Sequence, residues 1–438
     1  DAMGCGASQA EEPVDSKMFT AMDVDKVLAL SRSGIVANQK KAIQLMLRMA
    51  STDDKLRVKL AQGGGLDSII SMLKSQSKSV KVLAAKVLGR MALATANRPK
   101  LVEEGAIVPM IDFVKDPNMP VKLIGIDVLH TIALYPDARP KIVAEDIVKH
   151  LLPLLEQDDL EIELSALMFI ARLSAHQKSH LKLTTDGVVP YMFNILRSPM
   201  RSVKHKKQAI ICIAELSTHV ENHRWIADGQ GLKVLVGLSA FYAMDVRVYA
   251  AISIARLSEN PLLRQPFVKE GVLPFLGNML KQQKSEVLAE YGVKALKYLA
   301  LDPLNQVKIL KSGCLPDLLR LARCGNDTLE ASSAMCLAVL ATNNINRPKM
   351  LAAGAFKPLI YNSRFGHTQE IKDTSMAVLA GLFHTEAFRR KLLVRRACDK
   401  FKLGLRRKKQ KHGVTAAETG TFKLQEEDDD ASDEDDDY

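Results

Sequence analysis

Apolar positions along the chain recur at helical spacing in two alternating phrases, and the strict alternation that marks strands is almost absent. One phrase opens a short helix: EGAIVPMI around Pro109, DGVVPYMF around Pro190, EGVLPFLG around Pro274, SGCLPDLL around Pro316 and AGAFKPLI around Pro358. Successive prolines stand 81, 84, 42 and 42 residues apart, so the first two intervals each skip one unit. The skipped units read AEDIVKHLLPLL and GQGLKVLVGL, and GGGLDSIISML precedes them all. A proline in the first helical turn gives up an N–H that would be unpaired there anyway, and a glycine just before it supplies a sharp turn.

A second phrase follows each of these: AAKVLGRMA, GIDVLHTIA, ALMFIARLS, AIICIAELS, AAISIARLS, GVKALKYLA, SAMCLAVLA and SMAVLAGLF, with an unpaired AIQLMLRMA ahead of them. Small residues and aliphatics at this spacing predict a helix buried along one side. Each unit is therefore a short helix, a glycine turn, a second helix and a longer third helix. Such a unit cannot bury its apolar face alone and must stack on its neighbours. Length would suggest about three domains of ~150 residues, but the period of about 41 residues overrides that expectation.

On these phrases the chain resembles the armadillo-repeat family over roughly residues 20–385, with nine third helices. The resemblance implies an all-α fold, a right-handed armadillo-type α-solenoid of about nine repeats, placed at residues 17–387. It also implies a concave groove lined by the third helices, where one position per helix typically carries an Asn that holds an extended peptide by its backbone. Carried over, that position falls on Arg48, Arg90, Thr131, Arg172, Glu215, Arg256, Tyr298, Val339 and Gly381, at intervals of 41 to 43 residues. Four residues earlier, where importin-α carries Trp, stand Gln44, Lys86, Asp127, Met168, Ile211, Ile252, Lys294, Met335 and Ala377.

No Asn and no Trp occupies these rungs, which argues against a receptor for basic nuclear-localisation peptides. The single Trp of the chain, Trp225, is expected as a packed first-helix residue. Cationic rungs suggest a groove for extended acidic segments, closer to β-catenin-type grooves, because Arg pairs carboxylates bidentately and stays charged. The candidate partner-binding residues are Arg48, Lys86, Arg90, Arg172, Arg256 and Lys294. For the middle rungs an alternative stands beside this one, an internal ladder of ion pairs through Arg172, Glu215 and Arg256. From Tyr298 onward the rungs are mostly neutral, so an acidic ligand is expected in the N-terminal half.

Charge changes the picture at the C-terminus. The chain of 438 residues has a formal charge of +11, but residues 426–438 hold ten carboxylates and no base. Residues 1–425 are left with 61 basic against 40 acidic residues, a net +21. The segment 389–412 contains twelve Lys/Arg and one Asp, and within 388–412 a capping helix is expected over the last repeat. The exposed remainder, Arg406, Arg407, Lys408, Lys409 and Lys411, reads either as a nuclear-localisation signal or as a polybasic patch for an anionic membrane, worth ~1 kcal/mol per charge. Nucleic acid is disfavoured, since only Phe401 interleaves and no base-reading motif accompanies it. The acidic tail 413–438 cannot fold by itself. Its 26 residues reach at most ~85 Å at ~3.3 Å each, long enough to fold back on basic rungs as an internal ligand. Ser432 before Asp433, Glu434 and Asp435 is a candidate acidophilic-kinase site.

At the other end Met3, Gly4, Cys5, Gly6, Ala7 and Ser8 match the M-G-x-x-x-[ST] pattern for myristoylation of Gly4, with Cys5 as a palmitoylation site. One myristoyl chain binds membranes only marginally, so the second signal matters. Asp1 and Ala2 precede Met3; the acylation reading takes Met3 as the start, and the competing reading is a flexible polar leader over residues 1–16.

No catalytic constellation, phosphate loop or cofactor motif is visible. The ten His are dispersed, and His130 and His205 are expected as ordinary helix-face side chains. Six scattered Cys without CxxC argue against zinc or a disulfide framework. The residues point to a non-catalytic adaptor. The likeness extends to the acylated armadillo proteins of vacuole inheritance and organelle positioning, including the "armadillo repeats only" type, which implies a cytoplasmic membrane face. The alternative is a cytosolic or nuclear adaptor without lipid.

Overall fold

The computed structural model describes residues 21–383 apart from 34, 158, 242, 282–284 and 366–367. Gly4, Cys5, the segment 388–412 with its polybasic run and the tail 413–438 with Ser432 lie outside the described residues. Among the described residues every regular element is helical.

Nine longer helices recur, numbered here α1 (Val36–Thr52), α2 (Lys78–Leu93), α3 (Met119–Ile132), α4 (Leu160–Ser174), α5 (Val203–Leu216), α6 (Met244–Ser258), α7 (Glu286–Ala300), α8 (Asp327–Ala341) and α9 (Gln369–Phe383). Two short helices separate each from the next, such as Asn97–Glu103 and Ile107–Lys115 between α2 and α3. Every long helix packs against the following long helix, and the short helix just before it lies along its side. The buried side chains form one continuous core from Val24 to Leu379. The outcome is an α-solenoid.

The register of a long helix follows from its sequence. In α7 the buried set is Leu288, Ala289, Gly292, Val293, Ala295, Leu296, Leu299 and Ala300, a broad stripe at i, i+3, i+4 and i+7. Ser285 opens the helix by accepting from the Leu288 N–H at 3.4 Å. After Ala300 the chain turns at Asp302, whose carboxylate caps the next helix at Pro303. Small residues let the stack close up: a Cβ on Gly125 of α3 would stand 2.9 Å from both the Phe113 Cβ and the Val114 nitrogen of the adjoining short helix.

The turn between the two short helices needs a left-handed residue. Gly64, Gly105, Gly187, Gly271, Gly313 and Gly354 supply it with φ between 76° and 90°. Where no glycine is available, Asp146 takes the conformation at φ 55°. Lys182 and Lys149 hold its carboxylate at 2.6 and 3.1 Å, and their hydrogen bonds draw its pKa down to about 2. In the same unit Pro153 interrupts the second short helix, which continues as a 3-10 turn over Leu152–Glu156.

Candidate functional site

The rungs sit near the C-terminal ends of the long helices, where unsatisfied carbonyls favour cations. Arg48 on α1 and Lys86 and Arg90 on α2 are exposed, and none of the three side chains has a hydrogen-bond or ion-pair partner among the described residues. Gln44, also exposed, stands one turn before Arg48. Thr131 on α3 turns its hydroxyl onto its own helix, donating to the Asp127 carbonyl at 2.8 Å.

The middle rungs are wired differently from the expected ladder of ion pairs. Arg172 is half-buried and its Nε has no hydrogen-bond partner. It lies close enough to His130 to add to the effect of burial, which together hold that imidazole near a pKa of 4. The His130 ring meets the Phe169 ring edge-on at 6.0 Å. Arg256 donates to the Ala214 carbonyl of α5, one repeat back. No ion pair joins Glu215 to Arg172 or Arg256 among the described residues. The ladder of ion pairs is therefore not formed: Arg256 spends a donor on backbone where the carboxylate was expected. Farther along, burial and the neighbouring Glu259 carboxylate raise the Tyr298 phenol, and Lys294 is neutralised by Glu290 at 2.6 Å while lying 5.0 Å over the Tyr291 ring. Val339 is half-buried, and the side-chain surroundings at Gly381 lie outside the described residues.

One polar ladder escaped the sequence reading. On the helix that follows each long helix, a side chain reaches back to that helix's open carbonyl end. Arg57 donates to Ala50 O at 2.7 Å, Arg98 to Ala92 O at 2.9 Å, Arg139 to Ala133 O at 2.9 Å and Arg347 to Ala341 O at 2.8 Å. Arg264 and Gln306 do the same, and His180 and His223 contact Ser174 O and Ser217 O at 2.7 and 2.8 Å. Buried Asn97, Asn222, Asn305 and Asn346 stand one residue earlier and donate to the same helix ends. Asn305 and Asn346 also reach the carbonyls of Arg264 and Gln306 in the preceding repeat. Eight C-terminal ends are thus closed by side chains. The signal was present as the dipeptides Asn97-Arg98, Asn222-His223, Asn305-Gln306 and Asn346-Arg347, each just after a third helix.

Trp225 departs from expectation. It does lie on a first helix, His223–Ala227, but is 43% exposed, because that short helix buries His223 and Ile226 instead. The Arg224 guanidinium lies 5.0 Å from its ring centroid. His205 is buried and satisfied, with Leu160 O at 3.0 Å and Ser202 Oγ at 2.9 Å. Among the described residues no three His, Cys, Asp or Glu side chains gather as a metal site. Cys212, Cys314 and Cys336 are buried free thiols, and burial raises the Cys212 thiol to about 12. No helix among the described residues is long and apolar enough to cross a membrane.

Fold and rungs together define a helical-repeat solenoid whose exposed cations cluster on the first long helices. No family model matches the chain. A stretch of 109 residues is 31% identical to Vacuolar protein 8 of Candida albicans, an armadillo-repeat protein; it covers 25% of this chain and 19% of that relative, so the match spans about a fifth of the relative's length. The crystal structure of an engineered protein superposes with a TM-score of 0.74 at 21% identity, covering 82% of this chain and 88% of the other. In its shared stretch and its three-helix period the chain is similar to armadillo-repeat proteins.

Proposed function

We propose that the chain is a non-catalytic protein-binding scaffold, a right-handed solenoid of about nine repeats that takes an extended acidic segment of a partner along its first long helices. The observation that carries this reading is the set Arg48, Lys86 and Arg90: three exposed cations on adjacent helices, without side-chain partners among the described residues. Long helices packed side by side stand about 10 Å apart, and an extended chain rises about 3.3 Å per residue. Every third residue of an acidic strand therefore meets the next rung. Arg172, with an unpaired Nε, extends the same path. Arg256 and Lys294, already bonded to Ala214 O and Glu290, contribute less to it.

In the same reading the scaffold is held at a cytoplasmic membrane face by acylation of Gly4 and Cys5, with the run Arg406–Lys411 adding attraction to anionic lipid and the acidic tail competing for the cationic rungs. The sequence motif at Met3–Ser8 and the likeness to Vacuolar protein 8 support the tether. The experiment is imaging of the chain carrying a C-terminal fluorescent tag, with and without Gly4→Ala. Membrane signal lost on substitution is expected. Nuclear signal in both forms overturns the tether in favour of an import role for Arg406–Lys411.

A further inference from the structure

The residue two places before each member of the carbonyl-capping ladder stands at or just before the start of the first helix of a repeat and is exposed in every repeat. Down the chain this position reads Lys55, Ala96, Asp137, Lys178, Glu221, Leu262, Leu304 and Ile345. The first five suit water. The last three are bare aliphatics, 81%, 72% and 63% exposed, in consecutive repeats. Single exposed leucines are ordinary, but three in register one repeat apart form a row, with stacked helices spaced about 10 Å.

The same short helices carry a second row one turn farther on. Four residues after the first position stand Lys59, Lys100, Lys141, Lys182, Trp225, Pro266, Lys308 and Lys349. A spacing of four puts both rows on one helix face. The C-terminal half of this edge thus presents Leu304 with exposed Lys308 and Ile345 with exposed Lys349. Exposed Trp225, with Arg224 against its ring, stands at the head of the row. Aliphatic tips, a half-exposed indole and lysines on one face are the composition of a surface that rests in a lipid interface: the apolar groups enter the acyl boundary, the indole sits at headgroup depth and the lysines meet anionic headgroups. A protein partner would also cover aliphatics, but exposed Lys308 and Lys349 beside Leu304 and Ile345, Arg224 against Trp225 and the twelve further Lys/Arg in 389–412 favour an anionic lipid surface.

We infer that this edge, from Trp225 through Leu262 and Leu304 to Ile345, is a peripheral membrane-contact face for anionic bilayers. It deepens the membrane reading above but acts without the acyl chains, so it orients the solenoid where a lipid anchor alone would only tether it.

The test uses the unacylated full chain with vesicles of phosphatidylcholine alone or mixed with phosphatidylserine. Trp225 is the single Trp of the chain, so its emission reports on the edge directly. Anionic vesicles are expected to shift the emission to the blue and shield it from an aqueous quencher, with little effect from neutral vesicles. Combined Leu262→Gln, Leu304→Gln and Ile345→Gln is expected to weaken partitioning by at least about tenfold. Lys308→Gln with Lys349→Gln weakens it on anionic vesicles alone. Exposed apolar residues off the row, Leu181 and Met200, serve as controls, and Leu181→Gln with Met200→Gln leaves binding unchanged. Vesicle binding with unmoved Trp225 emission, or partitioning indifferent to the aliphatic triple variant, overturns the inference. So does a triple variant whose one effect is loss of self-association in solution. Because no acyl chain is present, none of these results bears on Gly4, and failure of the tether leaves this outcome intact.

Discussion

The two halves of the solenoid share one backbone plan and spend their surfaces differently. In the N-terminal half the long helices expose unpaired Arg48, Lys86 and Arg90, while the edge positions Lys55, Ala96, Asp137 and Lys178 are polar or small. In the C-terminal half the rungs are Tyr298 and Val339, Lys294 is neutralised by Glu290, and the edge turns aliphatic at Leu262, Leu304 and Ile345. Packing cannot explain the difference, because the buried stripe of α2 (Val80, Ala84, Val87, Leu88, Met91) is as complete as that of α7. What varies is the solvent side, where the fold is indifferent and chemistry is free to differ.

The contrast breaks most sharply by reversing charge. Combined Arg48→Glu, Lys86→Glu and Arg90→Glu should weaken binding of a fluorescent oligoglutamate probe about a hundredfold at low ionic strength, since each exposed pair is worth about 0.5 kcal/mol and reversal counts it twice. Anisotropy titration measures this. Equal loss from Lys294→Glu would show that the halves do not differ in charge readout. The next effect is on stability. Asn305→Ala removes a buried amide that closes α7 by donating to Leu299 O and Arg264 O at 3.2 and 3.3 Å. A cost of about 1–3 kcal/mol is expected. Hydrogen exchange should show it confined to the repeats around α7, as neighbour-only contacts imply.

The seam between the halves is sensitive to acid. His180 and His223 hold the capping position there, where Arg98, Arg139, Arg264 and Arg347 stand on either side. Burial, with His219, Arg256 and His176 nearby, lowers the His180 imidazole from 6.5 to about 4. The unfolded chain therefore binds the proton first, so this contribution to stability is complete above pH 6.5 and is lost as pH falls toward 4. Exchange rates should rise around α4 and α5 on acidification before they rise near α2. His180→Gln, which reproduces the residue at Gln306, should remove much of that response.

The helix order, the period and the long-helix register were legible because apolar spacing and glycine turns are local signals that stacking must obey. Pro153 and Asp146 show where a unit lacking the usual turn residue still folds, through a 3-10 turn and a lysine-held left-handed Asp. The rungs were legible as positions but not as states. Whether Arg256 meets a carboxylate or the Ala214 carbonyl depends on side-chain reach between repeats, which no spacing encodes. The capping ladder was written in four Asn-containing dipeptides, but Asn and Arg after a helix read equally as a solvated turn. Trp225 was misjudged because aromatic residues are usually buried, and a helix of five residues has too little surface to bury His223, Ile226 and an indole together.

The smallest effect is the most direct probe of the comparison, because it adds function where removal can only subtract. Val339 is half-buried at a rung of α8, and Tyr298 holds the preceding rung of α7. An arginine at either place can lay its stem over the apolar surface and keep its guanidinium in water. If exposed rung cations are what selects an acidic strand, Tyr298→Arg with Val339→Arg should let the C-terminal half take the oligoglutamate probe as well. Each new exposed pair is worth about 0.5 kcal/mol, so affinity should rise only two- to threefold per rung, with a steeper fall as salt is added. The gain should persist when Arg48, Lys86 and Arg90 are replaced by Gln, which isolates the grafted rungs. Binding that stays flat in that background means rung charge is not sufficient, and that the geometry of the first long helices contributes something the later repeats lack.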